Sequence, residues 1–360
     1  MSGTTGQLQT FDLSLCTLGP VFIGDGEKIG KKEYIHDRQR GTASLFDEKK
    51  FFRLLTEKGL VDKYEAFMYG GEGELYDFLT CDCSLRERDW APALRCSLKM
   101  GDNLDAARSA NEISCFVRDA RGRAYIPGSS VKGALRTVLL QQMILKDGGK
   151  RELQYSPKEK GEVIPEEKYL HRLKLKEKTS DMVNSIMRGI RVSDSMPVGD
   201  DELCIVSKYD CSTTGWIRRI KTFRECLRPN VRLSFKLSLD QSILKGAITA
   251  DSLMAAIDEF DGYYLDTYLS HFPVPRGMVN VDFENCIFLG GGAGFFSKSL
   301  LYPYLGKEKG LENTAQIMQS KFRKHYHERD LEKGISPHMM KYTRYEGQVY
   351  PMGMCGVELK

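Results

Sequence analysis

The segment Tyr125-Ile126-Pro127-Gly128-Ser129-Ser130-Val131-Lys132-Gly133-Ala134-Leu135-Arg136 constrains this chain more than any other. A strand ends, Pro-Gly turns the chain, and Val131, Ala134, Leu135, Val138 and Leu139 then recur at helical spacing. Ser129 or Ser130 is the expected cap, so the helix start is set to within a residue or two. A strand that feeds a helix through a glycine turn is the joint of a helix packed on a sheet, and backbone amides freed there can hold an anion.

A comparable joint lies in the second half, where Cys286-Ile287-Phe288-Leu289 runs into Gly290-Gly291-Gly292-Ala293-Gly294 and a short helix is expected over 295–304. The cleanest alternation in the chain lies between the two joints. Val231, Leu233, Phe235, Leu237 and Leu239 point one way, and Arg232, Ser234, Lys236 and Ser238 the other, as a half-buried strand requires. Elsewhere strands are expected over 10–23, closing at a turn Gly24-Asp25-Gly26, and over 32–36 beside it. Helices are expected over 47–58, 251–271 and 313–330, and a last strand over 353–359. Each half then reads strand, helix, strand, glycine loop, helix, strand, the order of a ferredoxin-like unit. The expected fold is α+β, two tandem ferredoxin-like (RRM-like) domains at 1–210 and 211–360. Residues 146–180, with ten Lys/Arg and seven Asp/Glu, read as an exposed, partly mobile insertion in the first.

Composition narrows the function. Of 360 residues 41% are hydrophobic and 28% charged, which excludes collagen, a coiled-coil rod and wholesale disorder. The longest greasy run, around Val138–Leu145, is broken by Gln141 and Gln142, and the first residues lack a basic stretch ahead of an apolar one. Neither a membrane span nor a signal peptide is expected, and the cytoplasm is the expected compartment. The ten cysteines are scattered, and Cys81-Asp82-Cys83 is too close-set for a zinc knuckle, so reduced thiols and no metal are expected.

The net charge of +4 hides segregation. Trp216–Lys236 carries seven cations against Glu225 alone, Arg118–Arg136 five against Asp119, whereas Leu45–Trp90 carries eleven acids against seven bases. Cations interleaved with Trp216, Phe223 and Phe235 suit an RNA backbone with unstacked bases, although a solvated face has the same composition. Gly128-Ser129-Ser130-Val131-Lys132 adds hydroxyls and a cation to its glycine, and Gly290–Gly294 is followed by Phe295, Phe296, Ser297 and Lys298. Neither loop has P-loop or dinucleotide-binding spacing, so no nucleotide cofactor is expected. Among groups able to act as a base, His36 stands near the first glycine turn beside Lys31 and Lys32. It supports an alternative reading as a metal-independent repeat endoribonuclease. His325 and His327 sit at an expected helix end, where dipole complementarity accounts for them.

Taken together, PVFIGDG at 20–26, YIPGSSVKGALR at 125–136 and LGGGAGFFSKSLLYPYL at 289–305 resemble the RAMP superfamily of CRISPR proteins. Within it they are most similar to the subunit of type III-A (Csm) effector complexes that caps the filament at the crRNA 3′ end. The resemblance implies crRNA held by glycine-rich loops and basic residues. It also implies target RNA, a repeating backbone subunit and a small helical subunit as partners, and a role in crRNA 3′-end maturation with host trimming nucleases. Carried onto this sequence, the RNA contacts are Gly24, Gly26, Lys28, Lys31, Lys32, Gly128, Ser129, Ser130, Lys132, Arg136, Arg218, Arg219, Arg232, Gly291, Gly292, Gly294, Phe295, Phe296, Ser297 and Lys298. Backbone subunits that cut target RNA carry an aspartate ahead of the second strand. Here Gly30–Asp37 places lysines in that neighbourhood, with Glu33 the alternative acid, so a non-catalytic subunit is expected.

Overall fold

The computed structural model describes residues 7–71, 73–101, 112–148, 151–156, 161–178, 181–280 and 284–360. Its strands are β1 (Leu8–Thr17), β2 (Gly24–Ile29), β3 (Tyr34–Asp37), β4 (Thr42–Phe46), β5 (Leu94–Met100), β6 (Ile113–Phe116), β7 (Gln154–Ser156), β8 (Gly161–Val163), β9 (Ile190–Val192), β10 (Leu203–Ser212), β11 (Ile217–Leu227), β12 (Arg232–Asp240), β13 (Cys286–Phe288), β14 (Met339–Tyr345), β15 (Gln348–Pro351) and β16 (Met354–Leu359). One sheet has the order β13-β16-β1-β12-β9. The larger one runs β2-β6-β11-β10-β5-β4-β3, with β14 against β10 and β15 against β14.

The alternating segment becomes β12, whose Leu233, Phe235, Leu237 and Leu239 are buried while Arg232, Ser234 and Lys236 face solvent. It lies antiparallel to β1 along nearly its whole length, with Leu13 opposite Phe235 and Leu15 opposite Leu233. The helix Gly128–Lys146 packs its buried Val131, Leu135, Val138 and Leu139 into the same core as the helix Ala250–Thr267. Each such side chain removed from water contributes ~1.5–3 kcal/mol. In chain order β1, the first helix, β9, β12, the second helix and β13 make the ferredoxin-like unit, and β16 enters between β13 and β1.

That unit draws elements from both sides of residue 210, and so does the larger sheet. The expected boundary at 210/211 falls inside β10, which pairs with β11, β14 and β5. The two halves therefore share their sheets, because a ladder cannot be divided without losing its hydrogen bonds. A satellite core, Phe46, Phe51, Leu55, Phe78, Leu79 and Trp90 among its members, lies under the helices of 48–93.

Local expectations are met or corrected for identifiable reasons. The helix Glu48–Glu57 is capped by Asp47, which accepts from the Lys50 amide, and Gly59 follows it at φ +65°. Gly24-Asp25-Gly26 lies at the start of β2 rather than in a turn, and the strand after it pairs with β4 rather than with β1. Thr249 caps the helix Ala250–Thr267, one residue ahead of the expected start, with Ser252 closing a reciprocal capping box. The expected helix at 295–304 shortens to Leu301–Leu305, and the following helix is Lys307–Lys321. Of the 146–180 insertion, the described part includes the antiparallel pair β7 and β8 and a short helix, Glu167–Leu170, whose Tyr169 and Leu170 are buried in the main core. All ten cysteines are free, and among the described residues no helix is long and apolar enough to cross a membrane.

Candidate nucleic-acid interface

The loop Gly290–Gly294 is built so that backbone and cations meet without intervening side chains. Gly290 has φ +70°, and a Cβ there would lie 1.9 Å from the Phe22 carbonyl oxygen. The Gly291 N–H donates to that same oxygen at 2.7 Å, joining this loop to the segment that enters β2. Gly292 has φ +92°, and a Cβ on it would meet Arg224 Nη1 at 2.7 Å; at Gly294, φ +96°, it would meet Lys341 Cγ at 3.1 Å. Glycine is required at these positions by conformation and by space.

Arg224, on β11, lies over the Phe22 ring at 5.1 Å, and its Nη1 is buried with no hydrogen-bond partner among the described residues. Lys208 stands on β10, its amine pushed down to about 8 by burial first and then by the charges of Lys341 and Arg224. Lys341 donates to Asp210, and Asp210 is also cross-strand from Arg218. Around one glycine loop the sheet thus collects Arg224, Lys208 and Lys341, with Asp210 as the counter-charge and the exposed Arg218 cross-strand from it. Mutual repulsion and partial burial make this cluster short of negative charge, which a phosphodiester would supply.

The other expected contacts fall into three groups. Gly24, Gly26 and Lys31 are exposed; Lys28 is paired with Glu112 at 2.8 Å on the surface. Lys32 is buried, its amine donating to the carbonyls of Phe67 and Gly70 and so capping the C-terminal end of the helix Val61–Tyr69. Glu33 accepts from the Gly30 amide and closes its own turn. His36 lies in β3 opposite Ala43.

At the first joint the expected serine cap is replaced. Helix Gly128–Lys146 follows Pro127, and the Gly128 N–H donates to Asp194 Oδ1 at 2.8 Å, so a carboxylate already occupies part of the anion site. Gly128 is buried against the backbone of Val192 and Ser193. Ser129 is exposed and Ser130 half-buried; Lys132 has its amine lowered by burial and by nearby Arg191, and Arg136 is paired with Glu166.

In the third group, Phe296 is buried and stacked on Tyr268 at 4.5 Å, and the buried Ser297 hydroxyl donates to the Gly294 carbonyl. Lys298 donates to the Gly290 carbonyl at 2.6 Å and holds the loop shut, with Phe295 half-buried. Arg219 turns to the face opposite Arg218, cross-strand from Tyr209, and Arg232 is exposed on the smaller sheet. Sequence reasoning did not single out Lys208, Arg224 or Lys341. Arg224 belonged to a counted cation run, but the other two sit in strands whose pairing no local pattern discloses.

The RAMP superfamily model matches residues 15–248, about two thirds of the chain. The chain belongs to the RAMP superfamily. Among RAMP relatives, the CRISPR system Cms protein Csm5 of Streptococcus thermophilus is 31% identical over 314 residues, covering 81% of this chain and 80% of that protein. Csm5 of Mycobacterium tuberculosis is 26% identical over 382 residues, 98% of each. A chain in the cryo-EM structure of a Csm-crRNA-target RNA ternary complex of a type III-A CRISPR-Cas system superposes with TM-score 0.62 at 16% identity, over 97% of this chain and 100% of that one. The crystal structure of T.onnurineus Csm5 gives 0.61 at 16%, over 95% and 99%. These likenesses establish the α+β RAMP fold, ferredoxin-like in its strand order.

Proposed function

We propose that this chain is a non-catalytic crRNA-binding and assembly subunit of a cytoplasmic type III-A CRISPR ribonucleoprotein, capping its backbone filament at the crRNA 3′ end. In that role it supports 3′-end maturation in antiviral defence, alongside a repeating RAMP backbone subunit, a small helical subunit, target RNA and host trimming nucleases. Its Csm5 relatives and the crRNA-containing complex among its structural neighbours support the assembly. The observation that carries RNA binding is the cation cluster of Lys208, Arg224 and Lys341 at the Gly290–Gly294 loop, with a buried guanidinium nitrogen lacking a partner among the described residues. A phosphate there gains charge-assisted hydrogen bonds while sequence-neutral backbone contact is kept.

The test is filter binding of the purified chain to a crRNA 3′-terminal oligonucleotide, with loading into the reconstituted complex measured in parallel. Arg224→Ala with Lys208→Ala should weaken binding ~10–100-fold, and reduce the slope of log affinity against log salt by ~1–2. Unchanged affinity and loading would remove the loop from the account. Incubation with precursor crRNA in EDTA should give no cleavage; defined products abolished by His36→Ala would replace it with the endoribonuclease reading.

A further inference from the structure

We propose that His327, Asp330 and His338 form a binding site for one divalent first-row transition-metal ion, such as zinc, which fastens residues 323–338 to the fold. The three side chains are buried, at 5%, 0% and 7% exposure, and one ligand atom from each lies within 4.8 Å of the others. Nδ1 of His327 stands 2.8 Å from Asp330 Oδ2, and Nδ1 of His338 contacts Oδ1 of the same carboxylate. Two imidazole nitrogens converging on both oxygens of one buried carboxylate surround an ion with bonds of ~2.0–2.2 Å once the N···O contacts lengthen slightly to admit it. A set of two nitrogens and an oxygen, with no thiolate, suits zinc and its divalent neighbours and leaves a position for water.

Charge and scaffold point the same way. Asp330 is wholly buried, and Lys333, the lysine paired with it among the described residues, keeps its amine 3.9 Å from Oδ1 on a side chain one-third exposed. A dication held between the two imidazoles balances the buried carboxylate directly. The surrounding groups fix the ligands. The Ser336 hydroxyl donates to Asp330 Oδ2 at 2.7 Å, the Ser336 N–H donates to Tyr302 Oη, and the Tyr302 hydroxyl donates to the Ser336 carbonyl. The His327 N–H donates to Gln319 Oε1 on the preceding helix.

The segment consists of single turns with Tyr326 and Leu331 half or more exposed and Ile335 as its side chain in the main core, so a bound ion would add a second anchor to it. The expectation of no metal rested on sequence motifs, and the spacing His-x2-Asp-x7-His belongs to none of them.

Metal content of the purified full chain by mass spectrometry, together with titration of the chelator-treated chain with Co²⁺ under visible absorption, tests the site. The expected result is one Co²⁺ per chain, displaced by Zn²⁺, and a lower melting temperature after chelation. His327→Gln and His338→Gln should each weaken Co²⁺ binding at least ~100-fold, with His171→Gln as the unaffected control. Circular dichroism confirms that the variants are folded. Wild-type chain that takes up no Co²⁺ and melts at the same temperature with and without chelator would show the trio to be a hydrogen-bonded network only. Uptake unchanged in both variants would place the ion elsewhere; either result overturns the proposal.

Discussion

Lys208 is the residue in which structure and charge are most directly coupled. Its amine is held near 8 by burial and by Lys341 and Arg224, against 10.5 for a free lysine. A group whose folded-state affinity for a proton is depressed in this way regains it when an anion arrives, so phosphate binding and proton uptake are linked. Between about pH 7 and 10 the account expects RNA affinity to fall as Lys208 loses its proton. Lys208→Arg, charged throughout that range, should flatten the decline. The same linkage gives the apoprotein's sign. From pH 8 to 10.5 the unfolded chain holds a proton that the folded chain has released, so this group's contribution to stability rises with pH over that window. Fluorescence anisotropy across pH for both proteins measures the first effect. Parallel curves for the two would remove Lys208 from the interface.

At the scale of elements, the joint between β6's neighbourhood and the Gly128–Lys146 helix shows what a sequence can and cannot disclose. Apolar spacing from Val131 to Leu139 placed the helix, and Val131, Leu135, Val138 and Leu139 are buried with Ala134 packed against them. The capping group was not local: Asp194, distant in sequence, accepts from the Gly128 amide while Ser129 stays exposed. Asp194→Ala should therefore cost ~1 kcal/mol, whereas Ser129→Ala should cost almost nothing. Gly128→Ala should cost more than either, because its Cβ would lie 2.2 Å from the Val192 carbonyl oxygen. Urea denaturation of the three variants orders them, and a Ser129→Ala loss equal to that of Asp194→Ala would contradict the assignment.

Lys32 and Phe296 teach the same lesson about the site. By type each suits RNA, yet Lys32 satisfies a helix end and Phe296 packs on Tyr268. Residue type and local spacing were legible. Which face each side chain takes is set by strands far away in the chain, such as β14 beside β10, which carries Lys341 to the glycine loop.

The whole molecule joins its halves through shared sheets. β1 pairs with β12 and β16, and β10 joins the N-terminal β5 to the C-terminal β14, so the glycine loop after β13 is anchored on strands from the entire chain. Its docking on the Phe22 carbonyl and its closure by Lys298 make it a preformed feature of the fold. A preformed site loses little conformational freedom when RNA arrives, which favours holding one end of a guide in fixed register. The most direct test of that central claim is ultraviolet cross-linking of the assembled complex, followed by mapping of the attached peptide and nucleotide. The account predicts cross-links from Phe22 or Phe295, beside the Gly290–Gly294 loop, to nucleotides at the crRNA 3′ end. Cross-links confined to the crRNA 5′ end, or none to this chain in a complex that carries crRNA, would contradict it.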